Sequence, residues 1–364
     1  MDIETVSPLW DGELCSVRFD RETGAWFVIA VHSTRLGPAS GGTRAMVYPS
    51  VGDAVADATR LATAMTTKMA VAGLPMGGGK SVIALPAPRA ELGDERWRRI
   101  LRIHAANLDE LGGTYTTGPD IGTSSADMDV LRETTRFAFG GSAATGGPGS
   151  GAPATALGVF TAVRAAVAEA GLGDGGVAGL RLLVQGLGAV GARVAELAAE
   201  AGAELLVADL DPQRCAAAAA RGARVVPAAE VTRTRCDVLL PCATGGLIDA
   251  RVARTLPCAV VAGSANNQLA DSDRSGHDAP DHEGAALVLA RRGIIYAPDF
   301  VANAGGAVHI VGREVLGWTE DQVTRRTLEI GATLRKVFAD ARAYGITTEQ
   351  ADHALAARRL ADAA

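Results

Sequence analysis

Apolar positions along the chain change rhythm near residue 180, and that change separates two kinds of domain. Before it the pattern is mixed: "AWFVIAV" (25 to 31) is a strand, the Ala- and Met-rich stretch from about Val51 to Met69 is helical, and "SVIAL" (81 to 85) is a further strand. In "DERWRRILRIHAANLDEL", Trp97, Ile100, Leu101, His104, Leu108 and Leu111 recur at helical spacing with charges opposite, which assigns His104 to the core rather than to chemistry. A short strand, "GTYTT" (113 to 117), runs into "GPDIGTSSADMD", a turn rich in breakers and carboxylates of the sort that carries function. From Gly140 to Pro153 the sequence "GGSAATGGPGSGAP" has no apolar periodicity and reads as a connector.

Past Leu180 the strands "LRLLVQG", "ELLVAD", "ARVV", "DVLLPCA", "AVVAGSA" and "GIIYAP" are continuously apolar and separated by Ala-rich helices. Continuous hydrophobicity means cover on both faces, hence a parallel, doubly wound sheet. The expected fold class is α/β: an N-terminal α/β substrate domain (residues 1–143), a Rossmann domain (144–335), a cleft between the two, and a C-terminal helical segment (336–364) packing back on the first domain. A length of 364 residues supports two domains.

Composition narrows the partners. With 48% hydrophobic residues, no long uncharged apolar run and no basic leader, the chain reads as an unexported protein of the cytoplasm without a membrane partner. A net charge of −6 weighs against nucleic acid. Cys15, Cys215, Cys236, Cys242 and Cys258 are an odd number without C-x-x-C spacing, so neither a disulfide framework nor a metal site is expected. Small ligands remain. Of 35 basic residues only Lys68, Lys80 and Lys336 are lysines. Arginine keeps its proton in a protein, whereas a partly buried lysine can be tuned into an acid or base. Lys80 ends "LPMGGGK", which fails as a P-loop because Leu74 stands where the first glycine is required. Its task is a different one.

"VQGLGAVG" places Gly186, Gly188 and Gly191, with Ala189 and Val190 between them, as G-x-G-x-x-G between a strand and a helix. The glycines allow a tight turn, approach of a pyrophosphate and close strand–helix packing, and the helix start supplies partial positive charge. Asp209 closes the next strand, where a carboxylate accepts hydrogen bonds from ribose hydroxyls and repels a 2′-phosphate. NAD is preferred over NADP, with Asp211 and Arg214 close by.

Seven ordered segments carry a resemblance: "GGTR" (41 to 44), "KMAVAGLPMGGGKSVI" (68 to 83), "GPDIGT" (118 to 123), "TALGV" (155 to 159), "QGLGAVG" (185 to 191), "GSANNQL" (263 to 269) and "APDFVANAGG" (297 to 306). The chain resembles the Glu/Leu/Phe/Val dehydrogenase family, which converts an L-amino acid to its 2-oxo acid and ammonia with a nicotinamide cofactor. The resemblance implies that Lys68 pairs with the substrate α-carboxylate beside the Gly42 backbone and Met65. It makes Lys80 the low-pKa base that activates water, and Asp120 the proton shuttle to the substrate nitrogen. The carbonyl of Asn266 would hold the amino group. Thr155, Ala243, Thr244 and Asn266 would join the glycine-rich turn around the cofactor, and the family implies a homo-oligomer formed through the first domain.

Glutamate-using members carry a lysine where this chain has Ser40 and a serine where it has Ile310, so the substrate side chain is expected to be apolar. Gly118 and Ala307 are small, and "GPD" is similar to phenylalanine-type members, in particular the actinobacterial ones. L-Phenylalanine is the expected substrate. A leucine or valine dehydrogenase is the alternative, and a non-catalytic NAD- or amino-acid-sensing protein the second. A 2-hydroxy-acid dehydrogenase would need a catalytic histidine, for which His309 is the candidate.

Overall fold

Helix α1 (Val51–Ala72) begins where Ser50 accepts a hydrogen bond from the Asp53 N–H and ends where Gly73 adopts φ 63°, a left-handed cap that a residue with a Cβ resists. It lies on one face of a five-stranded sheet with strand order β1-β2-β4-β3-β5. The strands are β1 (Leu14–Phe19), β2 (Trp26–Ser33), β3 (Ala39–Met46), β4 (Gly77–Ala84) and β5 (Tyr115–Pro119). β2 runs antiparallel to β1 and β4, whereas β3 is parallel to both β4 and β5. Ala54, Ala58 and Ala62 of α1 pack on Val28, Ala30 and Val82. Trp97, Ile100, Leu101 and Leu108 of α2 (Asp94–Asp109) and Met128 and Leu131 of α3 (Ser125–Arg132) share a core with Phe27, Ile29, Ile83 and Tyr115. Alternation along β4 therefore sends residues 80 and 82 toward α1 and residues 81 and 83 away from it. This computed structural model describes residues 10–174, 176–270 and 284–363. The first nine residues of the predicted first domain lie outside them.

One strand differs from the expectation. β4 starts at Gly77 rather than Ser81 and carries the triple glycine inside the sheet. Glycine is a poor strand former, and tertiary contact explains its presence. A Cβ at Gly77 would stand 1.9 Å from the Ser33 carbonyl oxygen, one at Gly78 would stand 2.1 Å from the Thr66 backbone nitrogen in α1, and one at Gly79 would stand 2.6 Å from the Tyr115 ring. Also unread in the sequence were β1 and β3, the latter holding the "GGTR" stretch.

The second unit runs from Gly151 to His309 and from Trp318 to Leu355. Its sheet contains β6 (Arg181–Gln185), β7 (Glu204–Ala208), β8 (Arg224–Val225), β9 (Val238–Pro241), β10 (Val260–Val261) and β11 (Ile295–Tyr296), all parallel, in the order β11-β10-β9-β6-β7-β8. These six are the strands expected from the apolar runs. The chain builds outward from β6 in one direction and, starting again at β9, in the other, so the doubly wound order reverses between β6 and β9. Helices α4 (Ala152–Glu169) and α5 (Ala189–Glu200) pack together beside β6. The predicted C-terminal segment is divided: residues through Leu355 stay with this unit, while those from Ala356 onward join the first, together with Ile310–Gly317. In the first unit the Arg359 guanidinium donates to the carbonyls of Ala70 and Val71 at the end of α1, where helix carbonyls lack intrahelical donors. Among the described residues no helix is long and apolar enough to cross a membrane.

Candidate active site

In the first unit β3, β4 and β5 lie side by side, with Gly42 opposite Gly118 and Ala39 opposite both Gly77 and Tyr115. Lys80 stands in the middle of β4, only 6% exposed, with its side chain on the α1 face. Its Nζ lies 2.5 Å from Asp120 Oδ2. Asp120 sits one residue past β5, held by the local chemistry of "GPDIGT". Gly122 takes φ 81°, and a Cβ there would stand 1.8 Å from the Ala45 carbonyl oxygen. The Thr123 hydroxyl accepts from the Asp120 N–H at 2.9 Å and donates to the Thr43 carbonyl at 2.8 Å. Gly42 presses on the carboxylate stem, since a Cβ there would come within 2.8 Å of Asp120 Cβ.

Burial lowers the Lys80 pKa below that of an ordinary amine, and although Asp120 opposes the shift, the neighbouring Arg44 charge adds to it. For Asp120 burial acts upward but is outweighed by the Lys80 and Arg44 cations, which hold the carboxyl below its usual range. Met65 and Lys68 are half-buried on α1, and Met65 Cγ lies 3.3 Å from where a Cβ on Gly41 would project. At Gly118 a Cβ would meet only the Phe139 carbonyl oxygen, at 3.6 Å, so that position borders open space. Ile310 reaches the same loop: its Cδ1 is 3.6 Å from the place of a Cβ on Gly140, whose N–H donates to Glu314. His104 is fully buried beneath the sheet, its Nε2 against the Thr43 and Ser81 hydroxyls, and burial drives its pKa down to about 3. It belongs to the core.

Arg44 was quoted in the sequence without a role, and Asp57 was not singled out. Arg44 Nε lies 3.3 Å from Asp120 Oδ2, and its NH1 lies 2.9 Å from Asp57 Oδ2. Nothing in the spacing of residues 44, 57 and 120 announces this contact, because three separate elements supply it.

The nucleotide-type residues gather at the carboxyl ends of β6, β7, β9 and β10 in the second unit. Gly186 adopts φ 94°, and a Cβ on Gly191 would stand 1.9 Å from the Gly186 carbonyl oxygen, so neither tolerates a side chain. Gly188 caps α5, and a Cβ there would meet nothing within 4 Å. The turn is thus a cradle whose floor is backbone, with the first-turn N–H groups of Ala189 and Val190 at a helix start, which suits a pyrophosphate. Asp209 accepts from the Leu187 N–H at 2.5 Å and the Asp211 N–H at 2.8 Å. Partial burial raises its pKa, but those N–H groups and Arg214 outweigh burial and keep it ionised. Ala243 packs against Gly186, Thr244 is exposed beside it, and Gly245 approaches the Asn266 carbonyl so closely that a Cβ would be 2.3 Å away. The Asn266 side-chain carbonyl accepts from Asn303 at 2.7 Å. Thr155, on the first turn of α4, lies against Gly306 of the "NAGG" stretch, and the half-buried Ala307 follows. These residues therefore fit a dinucleotide at the sheet's switch point.

A dinucleotide cradle, and a buried lysine paired with a carboxylate, are the equipment of a dehydrogenase that acts on an amine. Residues 14–137 match the domain described as "Glu/Leu/Phe/Val dehydrogenase, dimerisation domain", and residues 211–364 match "Glutamate/Leucine/Phenylalanine/Valine dehydrogenase". The chain belongs to the Glu/Leu/Phe/Val dehydrogenase family of NAD(P)-dependent amino-acid dehydrogenases. It is 37% identical to leucine dehydrogenase of Thermoactinomyces intermedius, over 94% of this chain and 88% of that one. It is also 37% identical to valine dehydrogenase of Streptomyces virginiae, over 94% and 92%. The crystal structure of L-tryptophan dehydrogenase from Nostoc punctiforme is similar with a TM-score of 0.81 and 31% identity, covering 100% of this chain and 99% of that one.

Proposed function

We propose that the protein catalyses the reversible NAD-dependent oxidative deamination of an apolar L-amino acid, with L-phenylalanine preferred. The observation that carries the reading is the buried Lys80–Asp120 pair, in which the lysine holds its proton less tightly than a free amine. A base that gives up its proton more readily than a free amine is what attack of water on an imine carbon requires. Lys68 pairs with the substrate carboxylate beside Gly42 and Met65. Asp120 takes a proton from the substrate ammonium, leaving a lone pair to drive the hydride off Cα. When bound, the nicotinamide accepts that hydride. Neutral Lys80 removes a proton from the water that adds to the iminium carbon, and Asp120 returns its proton to the nitrogen. The C–N bond then breaks with its electron pair leaving on ammonia, and the hydroxyl proton passes to Asp120. The protons left on Lys80 and Asp120 return to ammonia and to solvent.

NAD is favoured over NADP by the ionised Asp209, which repels a 2′-phosphate. An apolar substrate is supported by Ser40 and Ile310 in place of polar partners, and by relatives named for leucine, valine and tryptophan. The open space at Gly118 favours a large, aromatic side chain. A leucine or valine preference is the second reading, favoured by the identity to those enzymes. The test is kcat/KM for phenylalanine, tryptophan, leucine, valine and glutamate with NAD and with NADP, beside Lys80→Ala. Phenylalanine should lead and Lys80→Ala should lose at least about 10²-fold in kcat while still binding NAD. A leading leucine or valine selects the second reading, and turnover undiminished in Lys80→Ala refutes the mechanism.

A further inference from the structure

We infer that Arg44 is a positioning residue for the Lys80–Asp120 pair, clamped from behind by Asp57 of α1. The inference deepens the function proposed above and rests on Lys80 and Asp120 being the reacting pair. Arg44 follows the "GGT" backbone in β3, and its guanidinium spans two carboxylates: Nε to Asp120 Oδ2 at 3.3 Å and NH1 to Asp57 Oδ2 at 2.9 Å. Asp57 is fixed in turn. The Tyr48 hydroxyl donates to its Oδ2 at 2.7 Å, and Arg60 NH2 donates to its Oδ1 at 2.8 Å. Side-chain exposure of 14% for Arg44 and 16% for Asp57 leaves little water to screen these contacts. Lys80, Asp120, Arg44, Asp57 and Arg60 thus alternate in sign along a line from β4 to α1.

Both Lys80 and Arg44 approach the same oxygen of Asp120. That fixes the carboxylate about its Cβ–Cγ bond and turns Oδ1 the opposite way, an orientation a proton shuttle needs and a bare ion pair does not dictate. The guanidinium meets the two carboxylates with two different nitrogens, NH1 and Nε, a rigid fork that the single nitrogen of a lysine lacks. The charges have separable effects on Lys80. Arg44 disfavours its protonated form, while Asp57 and Asp120 favour it. Tyr48 and Arg60 face the line through Asp57.

The test is the pH dependence of kcat/KM for the amino acid in the full-length enzyme, comparing the parent with Arg44→Gln, Arg44→Lys, Asp57→Asn and Lys80→Ala. Arg44→Gln should lower kcat about tenfold or more with KM for NAD unchanged. It should also move the acidic limb up by about half a pH unit, roughly threefold in rate at a fixed pH on that limb. Asp57→Asn should move the limb the other way. Arg44→Lys should restore the limb but not kcat, because a single nitrogen does not reproduce the rigid two-nitrogen fork that orients Asp120. A limb unmoved in Arg44→Gln, or moved in the same direction by Arg44→Gln and Asp57→Asn, overturns the inference. Should Arg44→Gln fail to fold, Asp57→Asn decides: a downward shift supports the inference and an unmoved limb overturns it. Activity retained in Lys80→Ala would instead refute the reading beneath it, while loss in Lys80→Ala with an unmoved Arg44→Gln profile refutes this inference alone.

Discussion

Replacing Asp120 by asparagine keeps the shape of the side chain and removes its charge, so it isolates what the carboxylate does for a lysine whose side chain is 7% exposed. Breaking a buried pair from one side costs about 3–5 kcal/mol when the remaining charge stays ionised. Lysine can escape part of that cost by giving up its proton. With Asp120 neutral, burial and Arg44 act on Lys80 unopposed by its nearest anion, and its pKa falls further below the usual 10.5. Each unit of fall corresponds to about 1.4 kcal/mol. The expected loss of unfolding free energy is therefore about 2–4 kcal/mol near neutral pH. Its pH dependence has a definite sign. Because folded Lys80 binds its proton less tightly than the unfolded chain does, stability from this group rises as pH climbs from the folded pKa to 10.5. The variant starts lower and recovers over a wider window, so its deficit shrinks as the solution becomes alkaline. Urea unfolding of both proteins at several pH values measures that deficit, and a double-mutant cycle with Lys80→Met measures the coupling, expected to be at least about 1 kcal/mol. Turnover should drop by about 10²–10⁴-fold. A deficit that does not vary with pH, together with a coupling near zero, would mean that Asp120 does not hold the Lys80 amine, and the proton transfers assigned to the pair would fail.

Gly188→Ala should leave the melting temperature unchanged, since a Cβ there meets nothing, yet raise KM for NAD at least about tenfold by filling the pyrophosphate cradle; an unchanged KM would place the cofactor elsewhere. Asp209→Ala should weaken NAD and admit NADP, because Arg214 lies 3.8 Å from that carboxylate and could then face a 2′-phosphate; an unaltered NAD/NADP ratio excludes the ribose role. Gly118→Ala should fold normally, its Cβ in ordinary contact at 3.6 Å, and shift the kcat/KM ratio from phenylalanine toward smaller aliphatic substrates by about 1–3 kcal/mol, roughly tenfold or more; an unshifted ratio removes Gly118 from the side-chain pocket.

The two halves of the molecule were legible to different degrees. Each strand of the second sheet is a run of apolar residues that must be covered on both faces, and the glycine-rich turn with Asp209 is a local device, so neighbouring residues suffice to recognise both. In the first unit the triple glycine misled. Strand propensity argues against glycine, and the reason for it is an approach by the Ser33 carbonyl, Thr66 and Tyr115, none of them a sequence neighbour. Residues 310–317 and those from Ala356 onward likewise join the first unit through contacts that no periodicity records.

Composition and motif spacing by themselves determined that this chain is an α/β protein with a dinucleotide turn, and marked two of its three lysines as candidates for chemistry: these follow from hydrophobic period, backbone freedom at glycine and the titration range of an amine. What only the tertiary structure decided is the charge line through Lys80, Asp120, Arg44 and Asp57. An amine's affinity for its proton depends on burial and on charges a few ångströms away, and those charges come from two strands, a turn and a helix that meet only after the chain has folded.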